Sequence, residues 1–240
     1  METYLIEGTV HPERAQISMK FGFSCQHLAS NTTASISVNI QLNKIVAWVD
    51  TEAEWPLYDL RNFIKTAISN ELSVVGFLHG YAYELDVTRI VQRERDIDWV
   101  IGIDVPCIAE RNASLDKEAM YSLIREKTVG KEGTLLHRCF IDLSMAMKHA
   151  DDTGFYCYRA VEALRQHCII KFGLPLGDRN KAAQWAKLRE IAQCSEATTR
   201  EIEAAAAHTR HGGISTASDQ ERARLFTITW DVVEGYIRNL

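Results

Sequence analysis

The chain has 240 residues, of which 46% are hydrophobic and 25% charged, with only 4 prolines. That composition fits one large core or two modest ones and excludes an intrinsically disordered chain. A formal net charge of −5 argues against a generic nucleic-acid coat.

The charge is unevenly spread. Residues 1–109 carry 8 Lys+Arg against 14 Asp+Glu, a balance of −6, whereas residues 110–240 carry 19 against 18. Within 159–189, seven basic residues face only Glu162 and Asp178. The more frequent meaning of such a run is a solvated helix face, with a local basic surface as the alternative. No apolar run is long enough to span a bilayer. The opening Met1-Glu2-Thr3-Tyr4-Leu5-Ile6-Glu7 is acidic and strand-like, unlike a secretory leader, so a cytoplasmic location is expected. The six cysteines include no Cys-x-x-Cys pair and are expected to be free thiols. No cofactor and no metal is expected.

The first hundred residues alternate as strands do. Tyr4, Ile6 and Val10 keep a period of two, as do Ile17, Met19 and Phe21. Residues 35–42 alternate strictly, turn at Asn43-Lys44 and continue into 45–49 as a hairpin. Pro56 opens a helix whose apolar positions are Leu57, Leu60, Ile64, Ile68 and Leu72. Strands are expected again at 81–87 and 99–103. Residues 1–108 thus read as a β-rich α+β domain with one helix on a mostly antiparallel sheet. It shows no phosphate loop and no catalytic motif; a surface for a protein partner and a small-molecule or nucleotide sensor are the alternatives for its role.

Residues 106–114 read as the connection. Residues 114–240 then form an all-α antiparallel bundle, so the chain as a whole is α+β. Ser114 is the expected N-cap of a first helix, broken at Gly130 to Gly133. Further helices are expected at 134–150, 155–172, 181–192, 195–211 and 219–239.

The chemistry concentrates where the helix 195–211 ends in His211-Gly212-Gly213. His208, Arg210 and His211 crowd its last turn, where positive side chains complement the helix dipole. That is the plain structural explanation. The alternative is proton transfer with charge stabilisation beside a close helix contact, because Ala204 to Ala207 have little bulk. His208 and His211, three residues apart, share a face. On helix 155–172, Glu162 pairs with Arg159 or Arg165, or reaches across the bundle to Arg210 or His211.

Two stretches, Tyr158-Arg159-Ala160-Val161-Glu162-Ala163-Leu164 and Arg210-His211-Gly212 before a long final helix, resemble the HEPN superfamily, particularly its Apea-like branch. The likeness spans roughly residues 114–240. It implies a helical bundle that pairs as a homodimer and, in many members, acts as a metal-independent ribonuclease in stress or defence. It implies His211 as the catalytic histidine; the residues themselves add Arg210 beside it as the catalytic partner, with His208, Glu162, Arg159 and Arg165 as RNA-binding or supporting residues. The family pattern sets its arginine several residues before the histidine, near Ala206; here Arg210 precedes His211 directly. The alternative function is a non-catalytic interaction and dimerisation module.

Overall fold

The structure is a computed structural model that describes residues 1–26, 31–102, 105–214 and 217–240. The chain divides into two compact units, Met1–Ile103 and Asp104–Leu240, each with its own core. The α+β class expected from the sequence holds.

The first unit is a six-stranded antiparallel sheet in the order β2-β3-β4-β1-β5-β6. Its strands are β1 (Glu2–His11), β2 (Met19–Gln26), β3 (Thr33–Gln41), β4 (Lys44–Thr51), β5 (Glu84–Gln92) and β6 (Ile97–Val100). Alternation decides which residues face inward: Ile36, Val38 and Ile40 on β3 are buried while Ser35, Ser37 and Asn39 are exposed. One helix, α1 (Leu57–His79), lies on the apolar side, burying Leu60, Ile64, Ile68 and Leu72 at four-residue spacing. The β3–β4 hairpin turns on Leu42-Asn43, one residue earlier than expected, with both residues at positive φ. Asn43 is 2% exposed for a specific reason. Its Nδ2 donates to the Val10 carbonyl at 2.9 Å and its Oδ1 accepts from the Ile17 amide at 2.9 Å. The turn therefore anchors the loop between β1 and β2.

The second unit is helical: α2 (Pro106–Arg111), α3 (Lys117–Lys127), α4 (Gly130–Lys148), α5 (Thr153–Lys171), α6 (Lys181–Ala192), α7 (Glu196–Ala207) and α8 (Asp219–Asn239). Three expectations are corrected. Pro106 to Ser114 is not bare connection, because Pro106 starts α2, where a missing N–H costs nothing. Asp116, not Ser114, caps α3; its carboxylate accepts from the Ala119 amide at 3.0 Å. Gly130 and Gly133 open α4 rather than separating helices.

Helix α5 is the centre of the bundle, packed against α4, α6, α7 and α8. The stripe Cys157, Ala160, Val161, Leu164 and Cys168 is buried as expected, and so are Tyr158, Ala163, Arg165, His167 and Ile169. A helix wrapped on all sides buries polar residues too, and each then needs a partner.

Candidate functional site

Helix α7 begins at Ser195, whose hydroxyl accepts from the Thr198 amide at 3.1 Å. It ends at Ala207, four residues short of the expected boundary. Thr209–His211 form a 3-10 turn, closed by Gly212 at φ 80°. The backbone amides of His211 and Gly213 both donate to the His208 carbonyl. The His208 ring lies directly over Gly213, where any Cβ would meet it. The small-residue run does allow a close approach, but within this chain: Ala205 meets α5 at Gly154, which has no side chain to intervene.

The tightened turn separates residues that a continuous helix would have placed together. Arg210 folds back onto α5, with its guanidinium 4.8 Å from the centre of the Tyr158 ring. The Tyr158 hydroxyl donates to Glu162 Oε1 at 3.1 Å, and Arg165 Nη2 reaches the same oxygen at 3.4 Å. Arg165 is 6% exposed. It donates from Nη1 to Gln184 Oε1 at 2.6 Å and lies 5.4 Å from the Trp185 ring centre. Burial, with Glu162 beside it, pushes the Tyr158 phenol up to about 12, so it remains a donor across the ordinary pH range.

Arg210, Tyr158, Glu162, Arg165, Gln184 and Trp185 therefore form one connected cluster running from the bundle surface to its interior. Glu162 pairs with Arg165, as one expected alternative had it, and touches Arg210 only through Tyr158. Arg159 does not join. It turns to α4, where Asp142 holds Arg159 Nη2 at 3.2 Å and Arg138 Nε at 3.1 Å. His208 lines a cleft of about 540 Å³ with Gly154, Ala205, Ile214 and Arg222. Arg210 instead packs on Tyr158. His211 is exposed, and among the described residues no side chain hydrogen-bonds its ring. The shared face expected of His208 and His211 is not used as one.

The basic run at 159–189 is largely neutralised. Arg159 pairs with Asp142, Arg165 with Glu162, Lys181 with Asp178, Lys187 with Glu190 and Arg189 with Glu196. Arg210 is different: it forms no ion pair with a carboxylate among the described residues. Beside the cluster, α6 and α7 enclose a cleft of about 280 Å³ lined by Trp185, Arg189, Arg200 and Glu203.

Sequence reasoning missed Trp185, Gln184 and Asp142. Trp185 was discoverable as the one large aromatic of α6. Asp142 carried half a signal: Arg138 stands four residues before it on α4, but its second partner, Arg159, comes from α5. Among the described residues no group of three or more His, Cys, Asp or Glu could hold a metal ion, and no helix is long and apolar enough to cross a membrane.

No curated protein and no solved structure matches this chain. Two family models do. Residues 4–101 match the N-terminal domain, and residues 121–240 the C-terminal domain, of a pair described as domain of unknown function (DUF8168). The two matches fall one within each compact unit, and the chain belongs to the DUF8168 family.

Proposed function

We propose that the helical unit is a HEPN-like module that pairs as a homodimer and acts on RNA, with the site at the end of α7. The observation that carries this reading is Arg210: a solvent-exposed guanidinium free of any carboxylate partner among the described residues, held by an aromatic ring, with exposed His211 next to it. A guanidinium so placed is available to phosphate oxygens, which its fork of donors matches in pairs. An imidazole suits proton transfer because one ring nitrogen can accept a proton while the other donates one. In metal-independent cleavage the ribose 2′-oxygen attacks the adjacent phosphorus and the 5′-oxygen leaves. His211 would take the proton from the first or give one to the second, while Arg210 steadies the charged phosphate.

One copy is a poor arrangement for this. Successive residues of a 3-10 turn diverge by about 120°, and Arg210 leans on Tyr158 while His211 faces solvent. Two copies related by a two-fold axis would set Arg210 of one against His211 of the other. Light scattering and RNA gel shifts test the reading. Expected are a dimer at micromolar concentration and binding of single-stranded RNA that weakens with salt and with Arg210→Ala. A monomer without RNA affinity would remove it.

A second reading is favoured by the same contacts. Arg210 on Tyr158 and His208 on Gly213 are also what a helix end needs for packing alone. On that reading the unit is an interaction module, and Arg210→Ala lowers stability while RNA is never bound.

A further inference from the structure

Away from the α7 end, a cavity of about 270 Å³ opens between α3, α4 and α8. Its floor is Leu143, Val233 and Ile237, all buried. Met120 and Ile124 of α3 lean over it. The cavity explains a feature of α3 that its sequence does not: Met120, Leu123 and Ile124 form an apolar face, yet no residue of that helix is buried. Apolar walls of this kind gain dispersion contacts from an apolar guest. Water entering the cavity would find few hydrogen-bond partners.

The mouth fixes what charge can enter. Arg111 is saturated, held by Asp231 at 2.6 Å, by Glu234 at 2.8 Å and by the Asn112 side-chain oxygen at 2.8 Å. Glu234 also accepts from Arg238 at 2.7 Å. Two cations and two anions balance there, so neither a carboxylate nor an ammonium group would find an unmatched counter-charge. Burying an unmatched ion is strongly unfavourable. Hydrogen-bonding capacity does remain. Ser144 gives its proton to the Phe140 carbonyl at 3.0 Å and keeps its lone pairs. The Asn112 amide nitrogen has no acceptor among the described residues.

We propose that this cavity binds a neutral, flat, apolar molecule of about two fused rings carrying one hydrogen-bonding group. The size follows from volume: a closed apolar cavity of roughly 150 Å³ accepts benzene, and this one is larger by about one further ring. The thioethers of Met120 and Met147 line the walls and adapt to a planar guest. The Asn112 amide nitrogen donates to the polar group at the mouth.

Calorimetry of the full chain with naphthol and with naphthoate, the same rings carrying a neutral or an anionic group, tests the proposal. Naphthol should bind one-to-one, and naphthoate more weakly by about tenfold or more. Asn112→Ala should weaken naphthol about fivefold through one lost hydrogen bond. Ser144→Trp, at an exposed helix position, should block the mouth and weaken it by about tenfold or more with the circular dichroism unchanged. Absence of saturable naphthol binding, naphthoate binding as tight as naphthol, or wild-type affinity in Asn112→Ala would each overturn it. Should Ser144→Trp disturb the fold, Asn112→Ala and the naphthoate comparison decide the matter.

Discussion

Gly154→Ala probes the contact that sets α5 against α7 and so brings Tyr158 beneath Arg210. A Cβ at position 154 would run into the Ala205 carbonyl oxygen, stand 2.7 Å from its carbonyl carbon and 3.3 Å from the Ala205 Cβ. The obstacle is backbone, which cannot swing aside as a side-chain tip would. Overpacking of this kind costs about 1–3 kcal/mol. Against it stands the gain from replacing glycine within a helix, about 0.5–1 kcal/mol at most. The clash wins, so the variant should be destabilised by about 1–2 kcal/mol, lowering Tm by roughly 2–8 °C for a chain of this size. Thermal unfolding followed by far-UV circular dichroism is the assay, because nearly all helices lie in the second unit. An unchanged or raised Tm would mean that the helix gain prevails and that α5 and α7 do not approach this closely.

Other outcomes follow from the buried polar groups. His167 is buried, with Nδ1 2.8 Å from the Tyr236 hydroxyl. Burial and Lys171 lower its pKa below the ordinary histidine value, and Glu132 only partly opposes them. The folded state thus favours the neutral ring. This contribution is complete above about pH 6.5 and is lost as pH falls below it, so urea midpoints should drop on the acid side and His167→Gln should flatten that drop. Asp142→Asn removes the buried charge that Arg138 and Arg159 share, and chemical denaturation should show a loss of about 1–3 kcal/mol. Burial raises all six thiols, that of Cys157 to about 12, but Cys139, Cys157 and Cys168 are fully buried while Cys25, Cys107 and Cys194 are only partly so. Peptide mapping after native alkylation should find adducts on those partly exposed three and not on the buried three, because access decides between thiols raised alike.

The sheet was legible because period-two alternation is local: Ile36, Val38 and Ile40 declare the inner face without knowledge of β4. The long helices were legible for the same reason, as the four-residue spacing in α1 shows. Boundaries that depend on tertiary context were not. Ser114 offers as good a cap as Asp116, and only the fold decides between them. The end of α7 was missed because a 3-10 turn needs the His208 ring seated on Gly213, a contact with no periodic signature. The candidate site was half legible. Arg210, Glu162 and Arg165 do assemble, but Arg159 leaves for Asp142. Which arginine serves which carboxylate is a matter of helix rotation, and adjacent residues on a buried helix face different neighbours.

The proposed action of the α7 end on RNA is tested most directly by incubation with tRNA and with single-stranded RNA in EDTA. The account predicts metal-independent cleavage by the wild-type chain. It predicts none by His211→Ala, with circular dichroism and light scattering showing that variant folded and dimeric. No cleavage by the wild type, or equal cleavage by His211→Ala, would contradict it.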